Sequence, residues 1–377
     1  MTVLNELKKI AAVSCNAHLT KQKASGGRVI GIFCSYVPEE IIIAAGMVPF
    51  RMRAVGSTKT DLGDTWFSSF NCSYTRHVFD LALEGRFNFL DGVILINACD
   101  HIRRMYDNWR AALNHPSLVH LMAVPRKKAQ GARSWYRDEI GLFKNALENH
   151  FDITITGEDI HQAIRLTNRI RRLLATIYAT RKMDDPPLTG AEALAIIMAG
   201  TALPRGIFLE MLEELVKELD GRCAYADKRP RLMIQSGCLE EITHLELIER
   251  LGGAIVDDSL CFGRRYFDTL IDENAADPLD ALADRYLNHL SCPRIGDDFM
   301  NRLAHTRRAV IDFRVDGLIC ERLKFCDLWG GEAFILRTEA KKINLPVLYL
   351  ERELYAGSEG QLKTRIQAFL ERIRPLI

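Results

Sequence analysis

The stretch Leu90-Asp91-Gly92-Val93-Ile94-Leu95-Ile96-Asn97-Ala98-Cys99-Asp100 is repeated in outline by Val315-Asp316-Gly317-Leu318-Ile319-Cys320-Glu321-Arg322-Leu323-Lys324-Phe325-Cys326-Asp327. In each, Asp-Gly opens an apolar run too short for a helix, and the run leads to polar residues and a Cys-Asp pair. Such runs read as buried parallel strands, which places Cys99 and Cys326 near carboxyl ends of strands. Ligands collect at those ends in open α/β sheets. The second copy has two extra residues between its Asp-Gly and its cysteine, so the echo supports related halves rather than identical ones.

A β/α alternation extends outward from each copy. In the first half, strands are expected at Arg28–Phe33, Val48–Arg53, Gly92–Asn97 and Leu118–Val124, with helices at Pro38–Ala45, Cys72–Leu83 and Asp100–Leu113. Helical periodicity then runs from Trp135 to Arg181, broken near Phe151–Gly157, where Thr156-Gly157-Glu158-Asp159 reads as a fresh helix start. Asp184-Asp185-Pro186-Pro187 interrupts the pattern, which sets the expected domains at 1–185 and 186–377. A helical stretch over Gly190–Asp220 precedes the second series. Its strands are expected at Arg231–Gln235, Ala254–Asp257, Gly317–Cys320 and Val347–Leu350, and its helices at Glu240–Leu251, Asp297–Ile311 and Gly360–Ile373. The openings of the two series also match: strand, then Cys34 or Cys238, then Glu39-Glu40-Ile41 or Glu240-Glu241-Ile242. Paired acids in a first helical turn suit the helix dipole, so the Glu pairs read as structural.

Fifty basic and 49 acidic residues leave a net charge of +1, which gives no support for nucleic-acid or polybasic membrane contacts. The amino terminus lacks the apolar core of a signal peptide and no apolar run reaches membrane-span length, so a cytoplasmic location is expected. Ten cysteines in that compartment point to ligation or burial rather than disulfides. No Cys-x-x-Cys occurs, so a metal site has to be assembled from distant loops. Cys72, Cys99 and Cys326 are the best candidates, each at a helix amino end or strand end where backbone N–H groups favour thiolate. Three such thiolates would hold a cubane and leave one iron open. Cys15, Cys223 and Cys292 read as small buried hydrophobes, Cys320 as strand core, and Cys34, Cys238 and Cys261 as intermediate cases near turns.

Phe33-Cys34-Ser35-Tyr36-Val37-Pro38-Glu39-Glu40, with Ala44-Ala45-Gly46-Met47-Val48-Pro49 after it, resembles the opening signature of the 2-hydroxyacyl-CoA dehydratase and benzoyl-CoA reductase superfamily. Ser68-Ser69-Phe70-Asn71-Cys72-Ser73, Asn97-Ala98-Cys99-Asp100-His101-Ile102-Arg103-Arg104 and Lys324-Phe325-Cys326-Asp327 continue it in order. The resemblance implies two Rossmann-like or flavodoxin-like α/β domains with parallel sheets and additional helices. A [4Fe-4S] cluster in the interdomain cleft would be held by Cys72, Cys99 and Cys326. It also implies a paralogous partner subunit, an ATP-hydrolysing iron-sulfur activator and a CoA thioester substrate. No phosphate-binding Gly-x-x-x-x-Gly-Lys-Ser/Thr loop is present, which agrees with ATP being handled on another chain.

The chemistry implied is one-electron injection into a thioester, where the cofactor does the difficult step and the protein excludes water and supplies protons. Cys99-Asp100-His101-Ile102-Arg103-Arg104-Met105-Tyr106-Asp107-Asn108-Trp109 and Phe325-Cys326-Asp327-Leu328-Trp329-Gly330-Gly331-Glu332 are most similar to the smaller active-site subunit of ATP-dependent benzoyl-CoA reductases. A 2-hydroxyacyl-CoA dehydratase subunit and a double-cubane-cluster reductase are the alternatives, the surplus cysteines keeping the latter open. His101 is the expected proton donor, since its pKa range suits proton transfer. Arg103, Arg104, Arg264 and Arg265 are candidates for CoA phosphates. Trp66, Phe67, Tyr74 and Trp109 are expected in the core and Trp329 at a pocket wall. A non-catalytic scaffold and a nicotinamide-dependent dehydrogenase are the other classes, the latter without the Gly-x-Gly-x-x-Gly that would support it.

Overall fold

In the computed structural model, which describes residues 2–355 and 359–373, the two series form two four-stranded sheets. The first half contains α1 (Val3–Ala11), α2 (Ala17–Ala24), β1 (Val29–Ile32), α3 (Glu39–Ala44), β2 (Val48–Arg51), α4 (Ser73–Leu83), β3 (Gly92–Ile96), α5 (Asp100–Ala112), β4 (Leu118–Met122), α6 (Ala132–Phe151) and α7 (Gly157–Ala179). The second contains α8 (Gly190–Gly200), α9 (Arg205–Glu218), β5 (Arg231–Gln235), α10 (Ile242–Arg250), β6 (Ala254–Ser259), α11 (Arg264–Phe267), α12 (Pro278–Asn288), α13 (Phe299–Asp312), β7 (Gly317–Leu323), α14 (Asp327–Lys342), β8 (Val347–Arg352) and α15 (Glu359–Ile373). The sheet orders are β2-β1-β3-β4 and β6-β5-β7-β8, all pairs parallel. The halves therefore share one topology, and this α/β architecture is the expected one.

The repeated Asp-Gly has the same mechanical task in both sheets. Asp91 Oδ2 accepts a 2.7 Å bond from the Val29 N–H while its own N–H donates to the Val29 carbonyl at 2.8 Å. Asp316 makes the same pair with Arg231, both bonds at 2.7 Å. Each aspartate thus fixes the register where the first and third strands of its half begin. The glycine that follows has no room for a side chain: a Cβ at Gly92 would lie 3.0 Å from Leu118 and 3.1 Å from Ile30, and one at Gly317 2.8 Å from Phe369.

All eight expected strands are present, with ends moved by a few residues. Helices α1, α2, α11, α12 and α14 lie outside the expected set. Helix α14 is the most consequential of these, because parallel β7 and β8 need a crossover between them. Its Gly330-Gly331 pair and weak amphipathicity mask it in the sequence. The stretch Gly190–Asp220 is two helices, since Pro204 cannot supply an interior N–H and instead caps α9.

Glu39 and Glu40 are not solvated dipole acids. Both are buried, and each is paired with a buried arginine: Arg205 Nη2 donates to Glu39 Oε2 at 2.6 Å, and Arg171 Nη2 to Glu40 Oε1 at 2.6 Å. Tyr266 and Tyr286 hydroxyls donate to the same carboxylates at 2.7 and 2.9 Å. Burial opposes the charge on Glu40, but Arg171 and then Arg285 outweigh it and hold the carboxyl below its usual range. The matching acid of the second half reaches the other way, Glu240 Oε1 accepting from the Ala54 N–H at 2.6 Å and from the Tyr355 hydroxyl at 3.0 Å. Its second oxygen is buried without a partner, and burial pushes the carboxyl up to about 7.

Two outcomes follow for stability. Glu40→Gln leaves the Arg171 charge buried and unpaired, so urea unfolding should show a loss of about 3 kcal/mol or more, partly recovered by adding Arg171→Met. Glu240 titrates in the folded state well above its unfolded value of about 4.3, so folding takes up a proton between the two values. Stability should therefore fall as pH rises from about 4.3 to about 7, by roughly 3 kcal/mol, and then level off. Glu240→Gln should remove that slope, making the variant more stable than the wild type at pH 8 and little different at pH 4.

Candidate functional site

Cys72, Cys99 and Cys326 are the N-cap residues of α4, α5 and α14. Each helix follows a strand of its half, so the fold delivers all three thiols to carboxyl edges of the sheets. Cys72 belongs to the buried cluster around Phe33, Phe79 and Trp109, and Cys99 and Cys326 pack against it. The thiols are near enough to influence one another: a charge on Cys72 acts on both Cys99 and Cys326, and a charge on Cys99 acts on Cys326. Burial raises all three pKa values, that of Cys99 to about 12. Backbone N–H groups oppose the rise at every position, from Thr75 and Tyr74 on Cys72, from Ile102 and His101 on Cys99, and from Trp329 on Cys326.

Among the described residues, no three His, Cys, Asp or Glu side chains converge on a point that would hold a single metal ion. A cluster needs a different arrangement, with separate thiolates on separate irons and hydrogen-bond donors to the sulfurs. One buried and two half-buried thiols, each beside helix-start N–H groups, fit that requirement.

The two halves are tied together beside these cysteines. The Leu354 N–H, after β8, donates to Ser73 Oγ at 2.8 Å, and His77 Nε2–H donates to the Leu354 carbonyl at 3.0 Å. His101 Nε2–H donates to the Phe325 carbonyl at 2.9 Å, with the Asn71 amide 2.9 Å from Nδ1. One imidazole thus joins the residues preceding Cys72 and Cys326 from a position two residues after Cys99. The exposed rings of Phe70 and Phe325 meet edge to face above this seam, centroids 5.4 Å apart. Phe325 has φ of 63°, a left-handed conformation that aims the loop at Cys326.

A second group of thiols is only partly visible in the sequence. Cys34 follows β1, Cys238 follows β5, Cys261 follows β6 and Cys292 follows α12, and they interact around the buried Arg51 and Arg265. The neighbouring Cys238 thiol first, then Arg265 and Arg51, hold Cys261 well below the usual thiol range. Cys292, which reads from sequence as a small hydrophobe, belongs to this group, whereas Cys15 and Cys223 are exposed rather than buried. Cys320 is buried in β7 as expected.

Other sequence candidates separate clearly. Arg103 and Arg104 are exposed and face Asp100 and Asp107. Arg264 is paired with Asp257, and Arg265 is too deep to meet a phosphate in solvent. Trp66 is exposed, against expectation, while Phe67, Tyr74 and Trp109 are core. Trp329 is buried against the Arg265 guanidinium, 5.2 Å from its ring centre. Among the described residues no helix is long and apolar enough to cross a membrane.

Residues 34–373 match the family model described as 2-hydroxyglutaryl-CoA dehydratase, D-component. YjiM of Escherichia coli (strain K12), provisionally named a dehydratase subunit, is 27% identical over 369 residues, covering 93% of this chain and 92% of that one. The (R)-2-hydroxyglutaryl-CoA dehydratase beta subunit of Acidaminococcus fermentans is 27% identical over 375 residues, with 98% of each chain covered. A benzoyl-CoA reductase subunit of Thauera aromatica is 25% identical over 350 residues, covering 91% of this chain and 89% of the relative. With a match that takes in all three N-cap cysteines, the chain belongs to the 2-hydroxyglutaryl-CoA dehydratase D-component family.

Proposed function

We propose that this chain is an iron-sulfur active-site subunit that delivers low-potential electrons to a CoA thioester, dearomatising an aromatic acyl group. The observation that carries the reading is that Cys72, Cys99 and Cys326 cap three helices drawn from both halves and are near enough for charge on one to act on another. In this reading those residues hold a [4Fe-4S] cluster between units 1–185 and 186–377, and the cluster supplies electrons at low potential. The chain's own residues do the rest. The helix-start N–H groups favour the charged sulfurs, and the burial of Trp329 and Cys72 keeps water from the site. His101 holds a proton at Nε2 on the seam, and that proton is the one assigned to the substrate. A paralogous subunit and a separate ATP-hydrolysing activator complete the assembly; the relatives' names, which make each of them one subunit among others, support the paralogous partner.

Two observations favour variants of this reading. Relatives named as dehydratase subunits favour loss of a hydroxyl from a 2-hydroxyacyl-CoA. The second thiol group favours a larger, double-cubane cluster in place of a single cubane.

Anaerobic purification with iron and sulfide assay and EPR of the reduced protein tests the cluster; absence of iron from freshly isolated protein would overturn it. Cys326→Ala should lose iron and alter the EPR signal. His101→Gln should keep the signal while turnover falls by roughly 100-fold, the usual contribution of a general acid. Parallel turnover assays with benzoyl-CoA and a 2-hydroxyacyl-CoA, using activator, ATP and a strong reductant, separate the two reactions.

A further inference from the structure

Cys261 stands against two buried cations and against a cavity. Arg51 and Arg265, at 4% and 0% exposure, supply the positive charge, and the sulfur held between them is a thiolate at neutral pH. The cavity has a volume of about 20 Å³, and its wall includes Ser35, Arg51, Thr201 and Cys261. A space of that size admits a molecule about as large as one or two waters, provided that it finds polar partners. Two are in place: Ser35 Oγ and Arg51 Nε are buried and have no hydrogen-bond partner. The other hydroxyls of the wall are committed, Thr201 to the Met198 carbonyl at 3.0 Å, and Tyr266 and Tyr286 to Glu39 and Glu40. A second thiol is brought alongside by the sheet. Strands β5 and β6 pair with Gln235 opposite Ser259, and Cys238 and Cys261 follow those two strand ends by three and two residues. The neighbouring Cys261 first, then burial, hold Cys238 in the neutral thiol form.

A nucleophilic sulfur, a small polar cavity with two free hydrogen-bond donors and a neutral thiol alongside are the parts that reduction of a hydroperoxide needs. We propose that the cavity binds hydrogen peroxide, that Cys261 is the nucleophile that reduces it, and that Cys238 resolves the product as a disulfide. Ser35 Oγ–H and Arg51 Nε–H donate to the peroxide oxygens and stabilise the charge that develops on the departing one. The Cys261 sulfur forms an S–O bond as the O–O bond breaks, so sulfur is oxidised to a sulfenic acid and the peroxide is reduced. The departing hydroxide takes the Cys238 thiol proton and leaves as water. The Cys238 thiolate then attacks the Cys261 sulfur, the S–S bond forms, and the second hydroxide leaves as water with a proton from solvent. The disulfide removes the charge that faces Arg51 and Arg265, and two uncompensated cations at the seam weaken the fold. The site is separate from Cys72, Cys99 and Cys326, and it requires the second thiol group to be free of metal, as in the single-cubane reading.

The full chain, freshly isolated under anaerobic conditions, is treated with one equivalent of hydrogen peroxide, and the state of each cysteine is read by alkylation and peptide mass spectrometry. A disulfide joining Cys238 and Cys261 should form at least about 10-fold faster than the exposed Cys15 and Cys223 are oxidised, the advantage of a thiolate over a thiol. The unfolding temperature should fall on oxidation and return with dithiothreitol. In Cys238→Ser the sulfenic acid should persist at Cys261 and be trapped by dimedone. Ser35→Ala and Arg51→Met should each slow the reaction at Cys261 and leave that at Cys15 unchanged; Ser35→Ala removes one hydroxyl, so its rate decides the matter where Arg51→Met fails to fold. Oxidation of Cys15 and Cys223 ahead of Cys261 overturns the proposal, and so does an unchanged Cys261 rate in Ser35→Ala. Iron is assayed in parallel: unchanged iron in Cys261→Ser supports the free thiol, and loss of iron there overturns the proposal in favour of the larger cluster.

Discussion

The arrangement depends on charge buried at the seam between the two sheets. Glu39 and Glu40 begin α3 at the carboxyl edge of the first sheet, yet their partners lie on α7, α9, α11 and α12. Glu240 holds the Ala54 N–H from the opposite side. A buried carboxylate tolerates little displacement from its guanidinium, since the desolvation cost is recovered only in good geometry. These contacts therefore act as fixed spacers between α3 and the helices α7, α9, α11 and α12.

The architecture is largely legible in the sequence because parallel strands buried on both faces are written as continuous apolar runs, and both Asp-Gly texts mark where such runs begin. Segments without a period of their own are not legible. Helix α14 carries Phe334 and Ile335 outward and holds two adjacent glycines, so its sequence offers no clean stripe. The Glu-Glu pairs read as dipole acids because their partners lie more than 100 residues away, and nothing local distinguishes a solvated acid from a clamped one.

The site is legible to a similar degree. Cys72 and Cys99 stand at the starts of expected helices and Cys326 shortly after an expected strand, positions that the sequence can indicate. Cys292 has neither signal; it enters the cleft on the loop after α12, a helix outside the expected set. Arg51 and Arg265 are equally silent, one at the end of a strand and the other beside an arginine that is salt-bridged. The equivalence of Cys34 and Cys238 is visible in the matched openings of the two halves. What draws them toward Cys261 is not.

The aspartate clamps at the strand starts bear on how such a molecule diversifies. Asp91 and Asp316 perform the same task at the edges of the sheets remote from the cysteines, with bonds matched to within 0.1 Å. The same pair of bonds sets register in both halves, so the carboxyl edges can carry different side chains, two N-cap thiols from one half and one from the other, on a single strand order.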